Sequence, residues 1–270
     1  MSQRLGVIGP KYDPRTLKLM TVFRELPPIP AAFDVDSQYP KIPMPMFAND
    51  SLGDCVIAGR AHMTLRFESF EQKKVISISD KNVTDEYFSE TGGVDSGLYL
   101  LDSLKCWRDN GWRIGGTSQI IKTHGCWRKK PVPPTPPVNS NLYNIYAFGA
   151  IDPKKHEDVK ATAYLLNGVY IGLALPITAQ NQVIWAVEGD PQKDDNSKPY
   201  SWGGHCVYIV AYDAEGLTCV TWGSKKRMTW QFFDTYCFDC FGIVDNRDKF
   251  LTDSPLDINK LDGYLNEVSK

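Results

Sequence analysis

The order of its apolar patterns predicts an α+β fold for this chain of 270 residues. Three observations carry that prediction. Helical signals fill the first half: Val56, Ile57, Ala58, Ala61, Met63 and Leu65 suit a buried helix starting at Cys55, and Leu98 to Asp109 reads as a second one closed by Asn110-Gly111. Strand signals fill the second half, beginning at Tyr143. Between them lies Lys129 to Pro137, a proline-rich connector that favours extended backbone and marks the seam.

Composition sets bounds on partners. Thirty basic and 32 acidic residues give a net charge of −2, which recommends neither nucleic acid nor an anionic membrane as a partner. No apolar run reaches transmembrane length, and Met1 to Gly6 lacks the apolar stretch of a signal peptide, pointing to a cytoplasmic or virion-associated chain. Without an export signal, the seven cysteines are expected as thiols.

Residues 1–25, carrying Arg4, Lys11, Arg15, Lys18 and Arg24, read as an N-terminal arm outside the core, with a short helix over Arg15 to Arg24 and a surface open to a protein partner. Leu26 to Pro45 is extended, because proline fixes φ and disfavours helix in the residue before it. Next come the turn formers Asn49, Asp50, Ser51 and Gly53 and the helix from Cys55 to about Phe70. His62 lies two turns beyond Cys55, too far for a direct hydrogen bond, and reads as a packed helix histidine. His124 and His156 lack the companions a metal site needs, so neither a metal nor another cofactor is expected.

In the second half, Asn144 to Ala150 reads as a strand, and Asp152-Pro153 as the cap and first turn of a helix. Val169 to Pro176 and Gln182 to Val187 are strands, as is the run from His205, which forms a hairpin with Leu217 to Trp222. Met228 to Tyr236 reads as a short helix and Cys240 to Val244 as a closing strand. Cys237 and Cys240 have redox or zinc spacing but no second pair, so structural thiols are expected. The polar tail Asp253 to Lys270 carries a weak helix.

The chemistry centres on Cys55. A thiol in the first turn of a helix meets unpaired N–H groups and the positive end of the dipole, which favour the thiolate. His205 follows a Gly-Gly turn about 150 residues downstream, the layout of a thiol nucleophile and a base that meet only after folding.

Leu52-Gly53-Asp54-Cys55, Trp202-Gly203-Gly204-His205 and Thr221-Trp222-Gly223 together resemble the papain-like cysteine peptidases, most closely bacterial and phage proteins sharing these segments. The resemblance covers roughly Leu26 to Val244. It implies a papain-like domain over 26–252, with a helical subdomain at about 46–130, a β-barrel-like subdomain at about 140–246 and a tail at 253–270. It also implies site roles. Asn49 takes the place of the family's oxyanion-hole glutamine, six residues before the nucleophile. The family's orienting asparagine, some 16 residues after the histidine, falls on Thr221, or on Val220 if the alignment is anchored at Trp222. Trp222 shields the catalytic hydrogen bond and borders the substrate. Gly92 and Gly93, in the loop before the second helix, are candidates for the backbone strip that pairs with an extended substrate. The 25 residues ahead of the extended run are too few for the family's long inhibitory propeptide.

The implied function is a peptidase or amide hydrolase acting on a peptide or a peptidoglycan stem. Its rivals are an acyl transferase using the same thioester and a catalytically idle binding or structural protein, such as a phage virion component.

Overall fold

The computed structural model describes residues 3–38, 41–73, 75–114, 142–251 and 254–268. The proline-rich connector, His124 and part of the C-terminal tail lie outside these residues. The helices are α1 (Cys55–Gln72), α2 (Asp80–Thr91), α3 (Leu100–Asn110), α4 (His156–Leu165), α5 (Trp230–Tyr236) and α6 (Ile258–Val268). The strands are β1 (Phe33–Asp34), β2 (Trp112–Arg113), β3 (Leu142–Tyr143), β4 (Ala147–Ala150), β5 (Val169–Leu175), β6 (Ile184–Trp185), β7 (Gly203–Tyr212), β8 (Gly216–Thr221), β9 (Ser224–Thr229) and β10 (Cys237–Val244). The fold is α+β, and no described helix is long and apolar enough to cross a membrane.

Helix α1 is the centre of the helical half. It is buried all round from Cys55 to Phe67, so its sequence shows no one-sided apolar stripe. Its partners start and stop by local chemistry. Ser79 and Asn82 form a capping box at the start of α2, and Gly92, at φ 72°, ends it in the left-handed conformation.

The other half is one large sheet with strand order β4-β10-β5-β7-β8-β9-β6, to which β1 adds by pairing with β7. Its end strands β4 and β6 are not paired with each other, so it is open rather than the closed barrel-like unit expected. Strand β7 lies inside it and is buried on both faces. Cys206, Tyr208 and Val210 join the core around α1, whereas Val207 and Ile209 join a second core on the opposite face. The Tyr170 hydroxyl on β5 donates to the Val56 carbonyl, tying the sheet to the first turn of α1.

Several elements differ from expectation. Asp152 accepts from the Lys154 N–H in a local turn, and α4 starts only at His156. The strand expected over Gln182 to Val187 shrinks to Ile184–Trp185, with Val183 87% exposed. Cys55, Cys206, Cys219, Cys237 and Cys240 are free thiols, whereas Cys106 is disulfide-bonded, against the expectation of thiols throughout.

The largest departure is at the N-terminus. Leu17, Leu19, Val22 and Phe23 are buried in the second core around a short turn, Leu19–Val22, so this part of the arm belongs to the core. Upstream of it, Val7 is buried and bridges Leu98 on one side and Gly204 on the other.

Candidate active site

Asp54 is the N-cap of α1 but makes no side-chain cap bond, and Cys55 opens the helix. The first N–H of a helix has no intrahelical partner, so the Cys55 amide is a donor at the mouth of the site. Across from it, β7 places His205 on one face and Cys206 on the other. The Cys206 N–H donates to Cys55 Sγ at 3.4 Å, which fixes the nucleophile candidate against the strand that bears the histidine.

His205 is held on two sides. Its Nε2 is 2.7 Å from the Thr221 hydroxyl at the end of β8, and its ring stacks on Trp222 with centroids 4.1 Å apart and planes within 11°. Trp222 itself takes a positive φ of 43°, and it stacks on Trp202 at 5.6 Å. His205 Nδ1 is buried and has no hydrogen-bond partner. It is the nitrogen left for a reacting group.

Asn49 is buried and gives its amide hydrogens to Asp54 Oδ1 at 3.0 Å and the Leu52 carbonyl at 3.4 Å. In this arrangement its donors are turned to the loop before the helix. Gly92 and Gly93 end α2 at the surface, and a side chain at either would meet nothing within 4 Å. The backbone strip facing β7 is instead Gly97-Leu98: the Leu98 N–H donates to the Gly6 carbonyl at 2.8 Å, and its carbonyl accepts from the Ile8 N–H at 3.1 Å. The sequence signal for it was the last glycine before α3, with Gly92 and Gly93 the more conspicuous pair.

Asp95, which sequence reasoning missed, organises this strip. It accepts from the Gly53 N–H at 2.9 Å and the Tyr87 hydroxyl at 2.7 Å, and Tyr87 in turn accepts from the Gly97 N–H at 2.8 Å. Burial raises its pKa, but the bonds from Tyr87, Gly53 and Arg4 outweigh that and hold the carboxyl below its ordinary value.

The electrostatics depart from the expected thiolate. Cys55 is 1% exposed, and burial pushes its thiol up to about 12 despite N–H groups of Cys206, Gly6 and Val56 that favour the charged form. Burial likewise lowers His205 to about 3, and it raises Asp54 to about 7 against the bond from Asn49. Both shifts favour the neutral forms of Cys55 and His205, which are 1% and 0% exposed.

The other two described histidines, His62 and His156, have their own surroundings. His62 is buried against Phe47, and His156 Nε2 is 2.7 Å from Asp234 Oδ1 while its ring stacks on Trp230. Among the described residues one group of side chains has metal-ligand spacing, Glu86, Glu90 and Cys106, but the Cys106 sulfur is in a disulfide. The Arg60 guanidinium already holds both of its carboxylates, at 2.9 and 2.5 Å.

No family model matches the sequence, and no curated protein matches it either. Solved structures do. Xylellain, a cysteine protease from Xylella fastidiosa, superposes with a TM-score of 0.64 over 91% of this chain and 97% of that one, at 17% identity. Procathepsin B S9 from Trypanosoma congolense gives 0.58 over 90% and 86% at 12% identity. A cysteine protease from Carica candamarcensis gives 0.54 over 81% and 100% at 14% identity. The chain has the papain-like cysteine protease fold.

Proposed function

We propose that the chain is a cysteine peptidase or related amide hydrolase, with Cys55 as nucleophile and His205 as its base. One observation carries the reading: Cys55 stands at the N-terminus of a buried helix against β7, while His205 is oriented by Thr221 and Trp222 with Nδ1 unpartnered.

With the cleft open and wetted, His205 takes the Cys55 proton and the thiolate attacks the amide carbonyl carbon. The S–C bond forms as the π electrons move onto oxygen. The Cys55 N–H is the oxyanion donor this geometry offers, and one such donor is worth about 3 kcal/mol of barrier. The oxyanion then collapses, the C–N bond breaks, and the imidazolium gives its proton to the leaving amine. Water, deprotonated by His205, releases the acid and restores the thiol. Thr221 keeps the ring in place throughout. The proposed substrate is an extended peptide or a peptidoglycan stem, since Leu98 and Gly204 present backbone groups to any chain between them. Transfer to an amine in place of water uses the same thioester.

The test is turnover of a mixed peptide pool by wild type, Cys55→Ser and His205→Ala, with and without an added amine. The reading expects cleavage in wild type alone. Equal cleavage in either variant would remove it. The neutral, sealed pair favours a second reading, an idle protein that uses the cleft for binding, and this expects no cleavage even after the N-terminal segment is displaced.

A further inference from the structure

We propose that Cys237 and Cys240 form a redox site, a dithiol that exchanges with small-molecule disulfides of the glutathione type and closes reversibly into a Cys237–Cys240 disulfide. The site uses neither Cys55 nor His205, so it stands apart from the hydrolase reading.

Sequence spacing alone argues against such a pair. In a regular strand, residues three apart point to opposite faces and stand about 10 Å apart, beyond the reach of a disulfide. A bulge in β10 removes that obstacle. Cys237 pairs with Leu173, Asp239 with Gly172 and Cys240 with Ile171, so three steps along β10 are set against two along β5. Leu173 and Ile171 share a face of β5, and their partners Cys237 and Cys240 therefore share it too. Both thiols pack in the second core, on the face turned away from α1. Two strand steps separate Cα atoms by about 6.6 Å, inside the range of roughly 4.4–6.8 Å that disulfides span. The side chains meet: Cys240 is a hydrogen-bond partner of the Cys237 thiol, which itself donates to the Asp239 carbonyl at 3.3 Å.

The two sulfurs differ in access. Cys240 is 3% exposed, whereas Cys237, at the junction of α5 and β10, is partly open. Cys237 is therefore the sulfur that an incoming disulfide meets, and Cys240 is the resolving one. Cys237 gives its proton to water, and its thiolate attacks one sulfur of the incoming disulfide. That S–S bond breaks, a mixed disulfide forms, and the departing thiolate takes up a proton. Cys240, deprotonated in turn, attacks Cys237 Sγ, and the second small thiol leaves. The balance is two cysteine thiols oxidised for one disulfide reduced to two thiols. Burial raises the Cys237 thiol above its ordinary value, against the attraction of the Lys154 ammonium, so exchange at neutral pH is expected over hours. The chain already holds a disulfide at Cys106, and disulfides persist where the surroundings are oxidising. The closed ring spans only Phe238 and Asp239. So short a loop constrains the unfolded chain little, which suits a bond that opens and closes better than a structural staple.

The experiment equilibrates the full-length chain anaerobically with mixtures of oxidised and reduced glutathione. The remaining thiols are then trapped with N-ethylmaleimide in denaturant, and each cysteine is read by peptide mass spectrometry. As oxidised glutathione rises, wild type is expected to lose the maleimide sites at Cys237 and Cys240 together, with buried Cys219 still reduced, and dithiothreitol to restore both. In Cys240→Ser the mixed disulfide on Cys237 has no resolving thiol, so it is expected to accumulate at least about tenfold over wild type. Cys237→Ser should leave Cys240 unmodified. Separate glutathione adducts on Cys237 and Cys240 with no link between them overturn the proposal, as do thiols at both positions that persist at every ratio. Oxidation of the pair only together with Cys219 overturns it as well, since that is chemistry of the unfolded chain.

Discussion

Helix α1 contains two buried polar regions, and they are treated in opposite ways. In its middle, Arg60 and Arg66 are among the least exposed side chains, yet every charge is met. Arg60 pairs with Glu86 and Glu90 and donates to the Ser103 carbonyl at 2.9 Å, and it lies over the Trp107 ring at 5.4 Å. Arg66 makes a two-pronged pair with Asp36 at 2.8 and 2.9 Å and caps the His62 carbonyl at 3.0 Å. At the N-terminus, by contrast, the Asp54 carboxyl leaves Oδ2 buried without a partner, as is Nδ1 of His205 on β7, whereas among the described residues the one unpartnered side-chain atom in the middle of the helix is Nδ1 of the uncharged His62. Orphaned buried groups cost stability, most of all where the group carries a charge. The paired charges in the middle of α1 hold the fold together, whereas the carboxyl at its start is buried at a cost.

Three substitutions would break or sharpen that contrast. Arg60→Ala leaves the nearly buried Glu90 and the partly buried Glu86 beside an empty site, so a loss of about 3 kcal/mol is expected in urea unfolding; a loss below about 1 kcal/mol would show that the middle of the helix is not the structural half. Asp54→Asn should have the opposite sign. The folded carboxyl titrates near 7 and the unfolded one near 3.8, so the wild type loses stability as pH rises between these values, and the variant does not. At pH 8 the variant is therefore expected to be more stable by up to a few kcal/mol, with the difference gone below about pH 4. Equal stability at pH 8 would mean that Asp54 is not left wanting. Thr221→Val removes only the hydroxyl beside His205 Nε2. It is expected to slow peptide cleavage about five- to tenfold with little change in unfolding midpoint, the size of one neutral hydrogen bond.

The contrast also explains what could be read from sequence. Cys55 opening a helix and His205 heading a strand were legible, because both motifs are local: turn formers before an apolar helix, and Gly-Gly before an alternating strand. Thr221 and Trp222 came from the family resemblance, which left Val220 as an alternative to Thr221; it is the Thr221 hydroxyl that lies 2.7 Å from His205 Nε2, and the Trp222 ring that stacks on it. The burial of Arg60 and Arg66 was not legible, since arginines inside a helix ordinarily mark a solvated face and their carboxylate partners come from distant segments. Nor was the path of Leu5 to Val7. That stretch has no helical or strand period, and its place depends on glycines more than 40 residues away that come together only in the folded chain. The same tertiary fact reversed the expected ionisation of Cys55, because helix position alone predicts a thiolate and a sealed cleft does not permit one.

The most direct measurement is the pH dependence of Cys55 alkylation in a chain carrying Arg4→Glu and Lys11→Glu, which breaks the ion pairs of the N-terminal segment with Asp95 and Asp102, compared with the same chain carrying His205→Ala. The account predicts that, once the cleft is open, Cys55 reacts with an apparent pKa well below the ordinary thiol value of about 8.5, and that loss of His205 returns it toward that value. The same profile in both chains would contradict the account, for His205 would then have no hold on the Cys55 thiol.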